Sequence, residues 1–276
     1  MFLSEKVIYL ELHKTGSTHI RHLLKDLLGG SFVGKHNQAA RKLFDGKRVF
    51  LGSVRNPWHW YLSLWSYGCE RKGAIFHATT QPMASFGGLG WDVSILDEMM
   101  RLRRNFTRDP KVWLGLYADI ENVDAFKAWL KLIIDPDHLP DLGEGFSACL
   151  LSEFAGLMTY RYLKLYCSAR GEMKGLSKLD NLEQLRDFER RNCFVSHFIR
   201  TEHLESDLFE CLDKCGVSLS EEERSEILSR PRLNKTKRHI SAIDYYDLES
   251  ERLVYERDPI IIEKFGYLAP SVLSGV

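Results

Sequence analysis

Apolar runs of two periods alternate along the first third of the chain. Val7-Ile8-Tyr9-Leu10 and Leu12 form a short, nearly continuous apolar run, the pattern of a strand buried on both faces. A turn rich in Gly, Ser and Thr follows, then Ile20, Leu23, Leu24, Leu27 and Leu28 at helical spacing. The same reasoning predicts a second strand near Ser31–Val33, a helix through Gln38–Phe44 and a third strand over Arg48–Val54. Strand, helix and strand at these intervals predict an α/β fold, with a central parallel sheet flanked by helices and joined by right-handed crossovers.

The stretch 66–190 reads as a helical insertion. Val123, Phe126, Leu130, Ile133 and Ile134 make one stripe, and Leu150, Leu151, Phe154, Leu157 and Met158 another. Gly87-Gly88-Leu89-Gly90 and Asp135-Pro136-Asp137 punctuate it as turns. The last third returns to α/β. A strand is predicted over Cys193–Ile199 and a helix from Glu205 to Lys214, closed by Gly216. Ser220-Glu221-Glu222-Glu223 opens another helix with an acidic first turn. A final helix runs from Leu248 to Phe265. No repeat or low-complexity tract interrupts the pattern, so residues 1–276 are expected to form a single domain.

Composition narrows the function. Of 276 residues 44% are hydrophobic, enough for a substantial core, and Lys+Arg and Asp+Glu are both 38. A formal net charge of zero argues against a protein that coats nucleic acid through bulk charge. No apolar run approaches the roughly 18 residues of a transmembrane helix. Nor does the start have the layout of a signal peptide, so a cytoplasmic location is expected. The six cysteines are scattered without a C-x-x-C, which fits a reducing compartment and predicts no metal cluster.

Chemistry concentrates in two strand–turn–helix junctions. His13-Lys14-Thr15-Gly16-Ser17-Thr18 leaves the first strand and enters a helix. It offers a lysine, a glycine that lets the backbone approach a ligand, hydroxyls, and helix N-terminal amides: the parts of an anion cradle. The competing reading is an ordinary turn with Thr15 or Ser17 as N-cap. The Walker pattern G-x-x-x-x-G-K-[ST] is absent. At the second junction, Val54-Arg55-Asn56-Pro57 leads into a helix whose Trp58, Tyr61, Leu62 and Trp65 read as a core-facing stripe. Arg55 and Ser63, eight residues on, are candidates to converge on a second anion.

Together these segments resemble the two donor-binding motifs of sulfotransferases that use 3′-phosphoadenosine-5′-phosphosulfate (PAPS). Further stretches match in order. Arg200-Thr201-Glu202-His203-Leu204-Glu205-Ser206-Asp207 resembles the family's R-x-E-x-L-x-x-D stretch, and Asn234-Lys235-Thr236-Lys237 its N-K-S loop. Phe265-Gly266-Tyr267 resembles its closing F-G-Y. Trp60 stands where members often carry Arg, and His13 where Pro commonly precedes the lysine.

The resemblance implies a P-loop-like three-layer fold and transfer of a sulfuryl group to an acceptor hydroxyl. A carbohydrate or another small glycosylated or lipidic acceptor is expected. Lys14 would stabilise the leaving bisphosphate; Thr15, Gly16, Ser17 and Thr18 would hold the 5′-phosphate. Arg55 and Ser63 would hold the 3′-phosphate, with Lys235, Lys237 or Arg238 closing over the nucleotide. No metal is implied. His36, just past the second predicted strand, is the first candidate for general base and Glu11 the second; the bland reading has His36 capping a helix or facing solvent. The basic loop 230–239 fits a phosphate lid better than a nucleic-acid patch, since no aromatic interleaves it. Trp91, Trp113, Tyr117, Trp129, Tyr160 and Tyr162 could stack sugars or fill a core. Two alternatives stay open: a nucleotide kinase drifted from the Walker pattern, and a non-catalytic nucleotide-binding module. Oligomeric state is not legible.

Overall fold

A computed structural model describes residues 1–81, 109–173, 175–231 and 238–273. The predicted turn at 87–90, Trp91, Lys235 and Lys237 lie outside the described residues. Contacts divide the chain into two compact units. The first comprises 1–56, 161–173 and 186–235, and the second 57–160, 174–185 and 236–276. Among the described residues no helix is long and apolar enough to cross a membrane.

The first unit is built on a five-stranded sheet: β1 (Phe2–Leu3), β2 (Val7–Tyr9), β3 (Ser31–Phe32), β4 (Val49–Val54) and β5 (His197–Arg200), in the order β3-β1-β2-β4-β5. β2, β4 and β5 run parallel, with Val7 opposite Val49 and Leu51 opposite His197. The apolar continuity of β2 and β4 reflects burial on both faces. Val7, Tyr9, Leu51 and Ile199 pack with Ile20, Leu23 and Leu24 of the Ser17–Leu28 helix and Leu204, Leu208 and Leu212 of the Leu204–Lys214 helix. From β4 and β5, Phe50 and Phe198 meet the rings of Phe44, Phe194, Tyr162 and Tyr166.

Several predicted elements shift. The strand at Ser31 pairs antiparallel with β1, so the parallel successor of β2 is β4. The helix expected over Gln38–Phe44 shrinks to a single 3-10 turn, Arg41–Leu43. Ala40 is extended, and the Gln38 side chain donates through Nε2 to the carbonyls of Lys164 (2.8 Å) and Ser168 (3.2 Å), which ties this stretch to a distant segment. β5 begins at His197, because the Phe194 N–H is taken by the Tyr166 carbonyl. Other boundaries hold closely: Ser220 forms a capping box with Glu223, and Gly216 closes the preceding helix at φ 70°.

The second unit is helical. Pro57–Cys69, Ala74–Thr80, Pro110–Leu116 and Val123–Ile134 pack with helices over Leu248–Arg257 and Pro259–Phe265. The stripe of Trp58, Tyr61, Leu62 and Trp65 is buried as expected, and so are Trp60, Trp113, Tyr117, Trp129 and Tyr160. Buried indoles need acceptors for their N–H groups. Trp58 donates to the Glu251 carbonyl (3.1 Å), Trp65 to the Leu116 carbonyl (2.9 Å), Trp113 to Asp141 (3.1 Å) and Trp129 to the Tyr117 hydroxyl (2.6 Å). These aromatics are core; the first unit's Tyr162 is buried too. The second predicted stripe becomes a 3-10 turn, Leu150–Glu153, before the Leu157–Tyr166 helix.

The helix expected from Leu248 to Phe265 breaks at Pro259, which has no N–H to continue the ladder. Asp258 at the break is fully buried. It accepts from the Thr159 N–H (2.8 Å), the Thr159 hydroxyl (2.6 Å) and the Tyr61 hydroxyl (2.7 Å). Burial pushes its carboxyl above the ordinary range, opposed by those three donors. Asp258→Ala strands all three donors and should lower unfolding free energy by more than about 2 kcal/mol, against about 1 kcal/mol for Tyr61→Phe. Urea unfolding followed by tryptophan fluorescence reads both.

Candidate functional site

The first predicted cradle and Arg55 of the second meet in the first unit. β2 and β4 keep their parallel ladder as far as the Leu10 N–H, which donates to the Leu51 carbonyl at 2.9 Å. Past it the strands part. The next rung, on Ser53, goes to the Tyr166 hydroxyl, which accepts from the Ser53 N–H (3.0 Å) and donates to the Ser53 carbonyl (2.8 Å). A tyrosine thus supplies the Ser53 peptide with the partner that a departing strand removes.

The Ser53 side chain anchors the loop. Tyr9 donates its hydroxyl to Ser53 Oγ (2.8 Å), and Ser53 Oγ and Thr15 Oγ1 are 2.6 Å apart. Thr15 Oγ1 spends its proton on the Leu12 carbonyl (2.8 Å), so Ser53 is the donor to Thr15. The chain of hydroxyls runs one way, from Tyr9 to a backbone carbonyl, with every member satisfied. Thr15 is fully buried with its hydroxyl committed inward, so what it offers an anion is its amide.

Lys14 and Gly16 both adopt left-handed backbone, φ 61° and φ 71°. Alternation of this kind curls successive N–H groups toward one point. Gly16 is the N-cap of the Ser17–Leu28 helix with no side-chain cap, so neither Thr15 nor Ser17 caps it. The N–H groups of Ser17 and Thr18 fall in the first turn, where a helix has no acceptor of its own for them. A Cβ on Gly16 would meet the Leu204 side chain at 2.9 Å, so the residue is fixed by close approach as well as by its φ.

Arg55 ends β4. Its Nη1 donates to the Lys14 carbonyl at 3.2 Å, which joins the first motif directly to the second. The Arg200–Asp207 stretch holds this junction from beneath. Thr201 donates its hydroxyl to the Val54 carbonyl (2.9 Å), and Glu202 accepts the Asn56 N–H (2.9 Å). Asp207 binds Arg200 through Nε (2.7 Å), Nη2 (2.9 Å) and the backbone N–H (2.9 Å). Burial alone would raise the Asp207 carboxyl, but the Arg200 bonds win and hold it low. The third motif is scaffolding for the other two.

His36, also left-handed at φ 55°, reaches the Glu11 carbonyl through Nδ1 (2.7 Å) and stacks on His13 with ring centroids 3.6 Å apart. A carbonyl only accepts, so Nδ1 carries the proton and Nε2 the lone pair. Burial depresses the His36 pKa against the pull of the Glu11 carbonyl and charge. Burial depresses His13 far more, helped by the positive charges of Arg161, Lys164 and Lys14. Glu11 itself is 1% exposed and paired with Arg21 (3.5 Å), which spends it as a buried counter-charge.

Ser63 and Arg238 belong to the second unit. Ser63 sits, buried, in the Pro57–Cys69 helix of the second unit. Arg238 packs in that unit against Ser66 (3.4 Å) and over the Tyr245 ring, and burial lowers its pKa. Phe265-Gly266-Tyr267 closes the last long helix: Gly266 is left-handed at φ 64° and the Tyr267 N–H returns to the Ile262 carbonyl (3.0 Å). Sequence reasoning missed Tyr166 and Ser53, whose roles arise only when residues 113 apart meet. Comparison with protein families, with curated proteins and with solved structures returns no match.

The stacked histidines predict an acid-sensitive fold. Both rings bind protons more weakly folded than unfolded, so acid protonates the unfolded chain first. Stability should hold level above the ordinary histidine value of about 6.5 and fall as pH drops below it. His36→Asn, which tolerates left-handed backbone, should flatten that slope; urea midpoints measured from about pH 7.5 to about pH 5 test it.

Proposed function

We propose that the chain is a PAPS-dependent sulfotransferase. The observation that carries this reading is the bond from Arg55 to the Lys14 carbonyl, which unites two anion-binding motifs at the carboxyl ends of adjacent parallel strands. A donor with a phosphosulfate at one end and a 3′-phosphate at the other needs two such grips. The amides of the Thr15–Thr18 turn take the 5′-phosphate, with the helix dipole behind them. Arg55, set beside the Lys14 turn by that bond, takes the 3′-phosphate. The expected parts of Ser63, Lys235, Lys237 and Arg238 rest on the sequence resemblance alone.

Sulfuryl transfer asks for positioning and charge stabilisation more than for covalent help from the protein. The acceptor oxygen attacks sulfur as the bond from sulfur to the bridging oxygen breaks. Negative charge builds on that bridging oxygen, and Lys14 neutralises it. The acceptor proton passes to Nε2 of His36. Two features of His36 suit it to this work: burial keeps the ring neutral, and the Glu11 carbonyl fixes the proton on Nδ1. Stacking on His13 holds the ring plane. The acceptor is a hydroxyl compound, with a carbohydrate as the leading class.

Titration calorimetry with adenosine 3′,5′-bisphosphate, adenosine 5′-monophosphate and magnesium-ATP distinguishes the alternatives. The bisphosphate should bind most tightly. Arg55→Ala should weaken it about tenfold or more, the scale of a lost charge-assisted bond, and bring it level with the monophosphate. Lys14→Ala should abolish turnover while the unfolding midpoint stays near wild type. Equal or tighter binding of magnesium-ATP would overturn the assignment in favour of a kinase.

A further inference from the structure

Away from the nucleotide loop, the first unit gathers a second set of chemically able groups. Cys167, Glu189 and Cys193 bring their two Sγ atoms and a carboxylate oxygen within 4.8 Å of one another. Cys167 is 6% and Glu189 8% exposed, and neither cysteine is in a disulfide. Two segments supply them. Cys167 follows the Leu157–Tyr166 helix, while Glu189 and Cys193 stand four apart on one face at the end of the Leu182–Asn192 helix. The Cys193 N–H donates to the Glu189 carbonyl (2.9 Å), continuing the helical pattern to the cysteine. A further bond, from the Phe194 N–H to the Tyr166 carbonyl (3.1 Å), clips the two segments together beside the thiols.

We propose that these three side chains form a binding site for a thiophilic divalent cation, zinc by its chemistry. Two thiolates and a carboxylate are a donor set that zinc accepts, with water in the fourth tetrahedral position. Thiolates on one tetrahedral zinc stand about 3.8 Å apart, inside the 4.8 Å within which these ligand atoms lie. Tyr162 supports this arrangement. Its hydroxyl donates to Glu189 Oε1 (2.8 Å) and lies 3.7 Å from Cys193 Sγ. That contact orients the carboxylate, the support that outer partners give to metal ligands. Binding is coupled to proton release, because both thiols must lose their protons to solvent as zinc enters.

The ion would act as a brace. Tyr166, whose hydroxyl completes the β4 rung at Ser53, directly precedes Cys167. Pinning Cys167 to Glu189 and Cys193 therefore fixes the tyrosine under the Lys14–Gly16 loop. The inference is independent of the sulfotransferase reading, since it concerns other side chains and needs no nucleotide.

The test uses the whole chain, reduced, stripped with a chelator and titrated with cobalt(II). One equivalent should bind with thiolate-to-cobalt charge-transfer absorption, and zinc should displace it. Cys167→Ser and Cys193→Ser should each abolish the absorption and weaken zinc binding at least tenfold. Tyr162→Phe should weaken it by about 10-fold to 100-fold. Cys69→Ser and Cys149→Ser should leave the absorption intact. If a serine variant fails to fold, alkylation of the wild type decides: zinc should protect Cys167 and Cys193 and leave Cys69 unprotected. Absence of a stoichiometric cobalt signal, its survival in both serine variants, or lack of protection would overturn the proposal.

Discussion

The first unit depends on how one tyrosine repairs a broken ladder. Parallel strands must diverge for loops at their carboxyl ends to turn toward a ligand, and divergence strands backbone groups in the core. An unpaired buried amide costs on the order of 1–3 kcal/mol. Tyr166 removes that cost by giving one hydroxyl to both sides of the Ser53 peptide. Everything above then follows. Ser53 is held, so it can hold Thr15; Thr15 is held, so Lys14 and Gly16 keep their left-handed turn. Arg55, two residues past Ser53, is aimed at the Lys14 carbonyl.

The stretch from Arg200 to Asp207 supports the same junction from the other side. Its bonds to Val54 and Asn56 end on backbone groups. Glu202 caps the Asn56 amide, Thr201 takes the last β4 carbonyl, and Leu204 limits the volume at Gly16. A motif that resembles a family signature is here a bracket, and its acidic residues do structural work. The second unit solves a different problem with similar economy. Its large aromatic core would bury many indole N–H groups, and four of them end on a carbonyl, a carboxylate or a hydroxyl.

Local signals were the legible ones. The Val7 and Val49 strands, the Ser17–Leu28 helix and the Ser220 cap carry their own periodicity or capping chemistry, and they stand close to where the pattern put them. The two motif turns were legible because both sit where apolar runs change period. What escaped depends on partners far along the chain. A two-residue strand such as Phe2–Leu3 has no period to read, and it redirected the Ser31 strand to the antiparallel edge. Gln38 looked helical until the carbonyls at Lys164 and Ser168 claimed its side-chain amide. The Asp258 break is marked in the sequence by Pro259, which cannot continue the helical ladder.

The sheet unit is assembled from three separated stretches of sequence, and this bears on how the chain matures during synthesis. A ribosome delivers β2, the Lys14–Gly16 turn and β4 more than a hundred residues before Tyr166 emerges. Until then the Ser53 peptide has water or a passing chaperone as its partner. Residues 197–207, which brace the junction, arrive later still. Nascent chains halted before residue 166 therefore carry every residue of the first cradle without the tyrosine that completes its Ser53 rung. Its completion is a late, non-local event, of the kind that slows folding and prolongs exposure of unfinished strand edges.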